Sequence, residues 1–338
     1  MVRVGIVGLG FMGKMHFRCY KARKDSQIAA VFDLDTKKLT DTSGTAGNIK
    51  GAEEQLDFSG IELYSDFDRM LAEAKLDAVS IALPTYMHKA YTIKALSAGL
   101  HVLCEKPMAL NVSDCDEMIE AAKKTGRVLM IGHCIRFWPE YAKAKELIES
   151  SCYGKVLAAH FQRLASTPIW SWDNWLLDGS RSGGAALDLH IHDSDYVQYL
   201  FGMPGSVCSR GWIGKSGDYD YIVTSYIYEK EKVATAQGGW IMAPGFGFRM
   251  SFDIMLEKAT ISYDCTRDPA FKVYLAQGRV ETPQVPAGDG YSQEIDYFVK
   301  VIQGKNVPKV LTPQQARDAV RLVTAEKESA DCGKEVAL

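Results

Sequence analysis

The sequence lacks any Cys-x-x-Cys pair: its eight cysteines stand at 19, 104, 115, 134, 152, 208, 265 and 332. None falls in a His/Cys cluster with metal-ligand spacing, so neither a metal centre nor a dithiol site is expected. Reduced, mostly buried thiols of a cytoplasmic protein are the reading. There is little excess of either charge. Thirty-nine basic and 42 acidic side chains leave a formal charge of −3, so there is no broad phosphate-binding field, and nucleic acid is excluded as the main partner. No apolar run approaches the roughly 18 residues of a membrane span, so no membrane partner is expected. Residues 1–7 run straight into a strand pattern, without the charged, apolar and cleavage regions of a signal peptide. Internal repeats and low-complexity segments are missing too. What is present is ordinary globular material: 338 residues, 47% hydrophobic and 24% charged. That length suggests two domains of roughly 150 residues, able to bury a core without disulfides or metal.

The first third alternates strand and helix. Short apolar runs at 2–7, 28–32, 78–83, 102–104 and 128–131 are separated by helix-period stretches at 13–24, 67–74, 89–98 and 113–124. Strands that are apolar throughout are buried on both faces, which predicts a doubly wound parallel sheet of Rossmann type. After about residue 150 the runs become alternating, β-branched and aromatic, at 156–164, 221–228, 233–237, 248–256, 260–263 and 271–275. They predict an α+β domain with an open, mostly antiparallel sheet, interrupted by one helix at 191–200. Helices at 291–303 and 313–330 close the chain and are expected to pack back near the interdomain region. The change of rhythm alone divides the chain into a dinucleotide-binding domain, 1–135, and a substrate-binding and oligomerisation domain, 136–338.

Gly8-Leu9-Gly10-Phe11-Met12-Gly13 follows the first strand and opens the first helix. In that context Gly8 permits a tight turn and Gly10 lets a pyrophosphate approach. Gly13 lets helix and strand lie close. Phe11 and Met12 belong to the same cofactor-binding turn, and the helix N-terminus adds N–H groups and partial positive charge. Asp33, twenty residues beyond Gly13, suits the ribose hydroxyls and would repel a 2′-phosphate, so NAD is favoured over NADP. Lys37 and Lys38 are read as solvated helix residues.

Glu105-Lys106-Pro107 directly follows the run at 101–104. It puts a lysine at the carboxyl end of a parallel strand, where open α/β sheets hold ligands. Pro107 biases Lys106 towards an extended backbone.

These residues, with others, resemble the glucose–fructose oxidoreductase, inositol dehydrogenase and rhizopine catabolism (Gfo/Idh/MocA) family of NAD(P)-dependent sugar dehydrogenases. The resemblance takes in the glycine turn, Pro84 and His88, the run at 98–102 and Glu105-Lys106-Pro107. It continues through Arg136-Phe137 with Pro139, the run at 183–193, and Ala325, Ser329, Ala330, Gly333 and Val336. It implies Lys106, Asp188 and His192 as catalytic residues. A free imidazole titrates near about 6.5, so His192 suits taking a hydroxyl proton as hydride leaves carbon. Lys106 would stabilise developing alkoxide charge. Asp188, four residues before His192, would bind substrate hydroxyls or tune the pair. Pro84, His88, Glu105 and Lys106 would border the cofactor, with His88 capping its helix or lining the groove. His190 stands where many members of the family carry glycine, and is read as structural or supporting. The resemblance further implies a homodimer or homotetramer.

Trp170, Trp172 and Trp175 crowd six residues beside Asp173 and Asn174. Flat rings with polar neighbours suit a sugar or cyclitol, Trp172 and Trp175 being the candidates, although a core or subunit-interface role fits equally. Arg136 and Arg163 are the remaining substrate-binding candidates. The expected activity is hydride transfer between a CH–OH group of a sugar or cyclitol and NAD. The alternatives are cleavage of glycosides by transient oxidation with retained NAD, and a nucleotide-binding regulator without catalysis.

Overall fold

The computed structural model describes residues 1–43, 55–229 and 232–338. The chain divides into two compact units: residues 1–134 with 290–317, and residues 135–289 with 318–338.

The first unit holds β1 (Val2–Val7), β2 (Ser26–Phe32), β3 (Glu62–Tyr64), β4 (Ala78–Ile81), β5 (His101–Glu105) and β6 (Leu129–Gly132). They form a sheet in the order β3-β2-β1-β4-β5-β6, and every neighbouring pair is parallel. This is the doubly wound Rossmann order, whose direction reverses between β1 and β4. β4 and β6 are buried at every position, as expected for strands covered on both faces. The helices of this part are α1 (Phe11–Lys21), α2 (Phe67–Glu73), α3 (His88–Ser97) and α4 (Val112–Thr125). α2 and α4 begin on Asp66 and Asn111, whose side chains accept the N–H of Arg69 and Asp114 and so satisfy N-terminal donors.

The second unit opens with α5 (Pro139–Glu149), β7 (Val156–Ser166), α6 (Gly179–Ser182) and α7 (Ile191–Phe201). A π-helical turn, Ala186–His190, runs directly into α7. There follow β8 (Ser206–Ile213), β9 (Tyr219–Ile227), β10 (Val233–Met242), β11 (Phe248–Leu256), β12 (Ala259–Asp264), β13 (Phe271–Leu275) and β14 (Val280–Glu281). After β14 come α8 (Gly290–Ile302), α9 (Pro313–Cys332) and β15 (Val336–Ala337). The sheet order is β14-β13-β12-β11-β7-β10-β9-β8-β15. Its pairs are antiparallel except β7 with β10, which run parallel. One face carries the core. On β9 Ile222, Thr224 and Tyr226 are buried while the alternate Val223, Ser225 and Ile227 are exposed, the period-2 pattern of a half-covered sheet.

β3, α5, α6, β14 and β15 are not in the sequence reading, and the closing helices divide differently. α8 belongs to the first unit, where it packs on α1, and the division falls within α9, whereas the change of rhythm alone assigns both helices to 136–338. β8 also escapes the pattern. Its run Ser206-Val-Cys-Ser-Arg-Gly-Trp-Ile213 owes its place to ladders with β9 and β15 rather than to propensity. No helix among the described residues is long and apolar enough to cross a membrane.

Candidate active site

In the first unit the glycine turn sits at the reversal between β1 and β4. Gly8 has φ +97°, and a Cβ built on Gly13 would lie 1.7 Å from the Gly8 carbonyl oxygen, so only glycine allows this approach. A Cβ on Gly10 would meet nothing within 4 Å. α1 starts there with no side-chain cap and no acid in its first turn, an anion-accepting helix end. Phe11 and Met12 are half-buried at its start.

Asp33 is buried at the end of β2. Its Oδ2 accepts the Leu9 N–H at 2.7 Å and its Oδ1 the Asp35 N–H at 2.8 Å. The carboxylate is thereby tied to the glycine turn, and each oxygen keeps acceptor capacity. Lys38 is not simply solvated: its Nζ lies 3.5 Å from Asp33 Oδ2. A hollow of about 340 Å³ is lined by Phe32 and Leu34, which flank Asp33 in sequence, with Phe67, Tyr91, Ser65, Asp66, Asp68 and Lys94. Open space over Gly10, an uncapped helix end and an acid fixed against the glycine turn fit a dinucleotide. Gly8 to Gly13 would hold its pyrophosphate and Asp33 its ribose.

Half-buried Pro84 follows β4. The buried His88 opens α3, and its ring bridges two carbonyls, with Nδ1 2.8 Å from Pro107 O and Nε2 2.8 Å from Leu83 O. Burial draws its pKa down, against those hydrogen bonds. His88 thus ties the loop after β4 to the segment carrying Lys106.

Lys106 is half-buried at the end of β5, and the buried Glu105 precedes it. Glu105 Oε2 accepts the Lys106 N–H at 3.2 Å, while Oε1 lies 2.8 Å from His16 Nε2. Burial alone would raise the Glu105 pKa. The hydrogen bond and charge of His16, then the charges of Lys106 and His88, hold it below the ordinary carboxylate value. Glu105 is therefore a support for the lysine segment.

In the second unit, Asp188 lies in the π-helical turn and His192 in the first turn of α7. Every residue from 185 to 198 is buried except these two, which are half-buried. A four-residue spacing across a helix puts them on one side, and π-helical turns recur at functional sites. The seat of this helix is built by packing: Leu189 and Ala185 join Ala165, Leu176 and Trp240, with Trp175 and Phe248 against them. A Cβ on Gly238 of β10 would come within 2.8 Å of His190 Cβ, so the glycine admits the helix. His190 is fully buried. Its Nε2 lies 2.9 Å from Glu326 Oε2 on α9, which gives it a structural place.

Arg136 and Arg163, the arginines expected to bind substrate, lie among buried carboxylates. Both are buried, Arg136 bonded to Asp195 at 2.7 and 2.8 Å and Arg163 to Asp193 at 3.0 and 3.1 Å. A buried guanidinium needs a carboxylate, and the bidentate fork provides one. The two acids on the buried side of α7 are the sequence signal for this. Of the tryptophans, Trp172 is 39% exposed, whereas Trp175 packs on the helix seat. His16, Ser80 and Glu294 were missed. Only the placing of His16 three residues after Gly13, among apolar neighbours, hints at a buried polar role.

A model of the oxidoreductase family with NAD-binding Rossmann fold matches residues 2–133, and the GFO/IDH/MocA C-terminal domain matches 141–262. A myo-inositol 2-dehydrogenase of Thermotoga maritima is 28% identical over 352 aligned positions, covering 100% of this chain and 98% of the relative. A 2,7-anhydro-N-acetylneuraminate hydratase of Mediterraneibacter gnavus is 35% identical over 211 residues. That match covers 62% of this chain and 52% of the relative, so the chain spans about half of that relative's length. The WlbA dehydrogenase of Bordetella pertussis, solved with NADH and UDP-GlcNAcA, is similar in fold, with TM-score 0.82 at 20% identity over 100% of this chain and 97% of that one. Both matched models fall on the two halves described above, and the chain belongs to the GFO/IDH/MocA family of oxidoreductases, its first unit built around that family's NAD-binding Rossmann fold.

Proposed function

We propose that this protein is an NAD-dependent dehydrogenase acting on a secondary hydroxyl of a sugar, cyclitol or sugar derivative. The observation that carries the reading is the pair Asp188 and His192, half-exposed on an otherwise buried helical segment. With it goes a lysine whose flanking groups are fixed by buried hydrogen bonds. Bound NAD supplies the hydride acceptor. His192 takes the hydroxyl proton, Lys106 stabilises the alkoxide as it forms, and Asp188 holds neighbouring hydroxyls. Trp172 offers an apolar face to a sugar ring. Asp33, with both carboxylate oxygens oriented by backbone N–H groups, favours NAD over NADP.

A homodimer or homotetramer is proposed through the uncovered face of the nine-stranded sheet. Ladder register places Trp212, Val223, Ile227 and Val233 on one face, and all four are exposed. Light scattering on the eluting protein reads the mass directly. The test of activity is a panel of sugars, inositols and sugar derivatives, followed by NADH and NADPH absorbance. Net NADH formation supports the dehydrogenase. Cleavage or hydration of a panel member without net NADH would replace it with the retained-cofactor reading, and cofactor binding without turnover would favour a regulator.

A further inference from the structure

His16 on α1, Ser80 on β4, Glu105 on β5 and Glu294 on α8 are all buried polar side chains. Ligand atoms of His16, Glu105 and Glu294 lie within 4.8 Å of one another. The composition suits a metal, but both His16 nitrogens are already engaged. Nδ1 lies 2.7 Å from Ser80 Oγ and Nε2 lies 2.8 Å from Glu105 Oε1. Nε2 can donate to the carboxylate, and Nδ1 can exchange a hydrogen bond with the serine hydroxyl, which both donates and accepts.

We propose that His16 is a positioning residue for Lys106, acting through Glu105. The inference rests on the reading of Lys106 as the alkoxide-stabilising lysine. The connection is short and made of directed bonds. Ser80 orients the His16 ring, His16 holds one oxygen of Glu105, and the other oxygen holds the Lys106 N–H. On its far side the carboxylate is confined by Gly132, where an added Cβ would stand 3.2 Å from both the carboxyl carbon and Oε1. The residue after Lys106 is fixed as well, because the Pro107 carbonyl meets His88 Nδ1 at 2.8 Å. Without His16, Glu105 loses a hydrogen-bond donor and a buried carboxylate must turn to find another. The backbone of Lys106 then loses one of its anchors. A displacement of about 1 Å at a reacting group costs on the order of 100-fold in rate.

The test uses the full chain and the variants His16→Ala, His16→Gln, Glu105→Gln, Lys106→Ala and His16→Ala/Lys106→Ala. Hydrogen–deuterium exchange at the Lys106 amide needs no substrate. It should accelerate by about tenfold or more in His16→Ala, a loss of at least about 1.4 kcal/mol of protection, with β1 and β2 amides unchanged. His16→Gln, which keeps an N–H donor, should restore part of the protection. For turnover, the panel member oxidised fastest should show kcat reduced about 10- to 100-fold in His16→Ala while its KM and the NADH Kd move less than about threefold. In the Lys106→Ala background the same change should have no further effect on the residual rate, since the two act in series. If His16→Ala does not fold, Glu105→Gln carries the same readings, because a side-chain amide holds the two donors differently. Unchanged exchange at the Lys106 amide overturns the proposal. So does a His16→Ala effect that is undiminished when Lys106 is absent. Full activity of Lys106→Ala alone would instead overturn the role of Lys106 and leave the exchange result standing.

Discussion

Replacing Gly13 by alanine, with Gly10 to alanine as its partner, separates two functions of the glycine turn. A Cβ on Gly13 starts 1.7 Å from the Gly8 carbonyl oxygen and must reach the 3.0 Å that real Cβ atoms keep, so turn and helix must part by about 1.3 Å. The clash is with backbone, which has no rotamer to yield. Overpacking of this kind costs about 1–3 kcal/mol. A shift of that size also breaks a charge-assisted hydrogen bond to a pyrophosphate, worth about 1.5–3 kcal/mol, so NADH should bind roughly 10- to 150-fold more weakly. Gly10→Ala differs. Its φ of −70° suits any residue and its Cβ meets nothing within 4 Å, so stability should stay within about 0.5 kcal/mol. Its methyl group nevertheless occupies the space a pyrophosphate requires. NADH fluorescence titration and urea unfolding, run on both variants, should show Gly13→Ala losing stability and affinity and Gly10→Ala losing affinity alone. Wild-type NADH affinity in Gly10→Ala would refute the placing of the pyrophosphate. Wild-type stability in Gly13→Ala would refute the packing argument.

Asp33→Ala should weaken NADH by about tenfold or more, since hydrogen bonds to a charged group are worth about 1.5–3 kcal/mol. NADPH affinity should rise, with Lys38 released from its 3.5 Å approach to the acid; paired titrations decide, and unchanged selectivity removes Asp33 from cofactor choice. Arg163→Ala leaves Asp193 buried without its bidentate partner and should destabilise the protein by about 3–5 kcal/mol. A normal melting curve with a raised sugar KM would return Arg163 to the substrate. Glu105, held below its ordinary value, contributes stability that is complete above its unfolded pKa of about 4.3 and disappears as pH falls through the lower folded value. Stability read by urea unfolding should therefore fall less between about pH 6 and pH 3 in His16→Ala, where burial alone acts on the carboxyl group, than in the wild type, and equal losses would deny the coupling.

Much of the first unit is legible because its signals are local. Continuous apolar runs, a glycine turn between strand and helix, and an acid at the end of the second strand each fix their own surroundings. The same holds for Asp188 and His192, whose four-residue spacing survives a π-helical first turn. What the chain conceals is long-range pairing. Arg136 and Arg163 give no sign in the sequence that Asp195 and Asp193 are their buried partners. His16 gives no sign that its partners lie 64 and 89 residues away, at Ser80 and Glu105. β8 is polar enough to read as loop, and becomes a strand only through its neighbours. That α8 joins the first unit while most of α9 joins the second is likewise a matter of packing, finer than the expectation that the closing helices pack back.

The most direct test of Lys106 and His192 as the groups that handle the proton is single-turnover oxidation of the best panel substrate by NAD. The rate of NADH formation is compared among the wild type, Lys106→Ala, His192→Ala and the double variant. General acid–base groups contribute about 10²- to 10⁴-fold, so each single variant should slow hydride transfer by that order. Under the proposal that both act on one oxygen, the double variant should be little slower than the worse single one. NADH formation at the wild-type rate in the double variant would contradict the account.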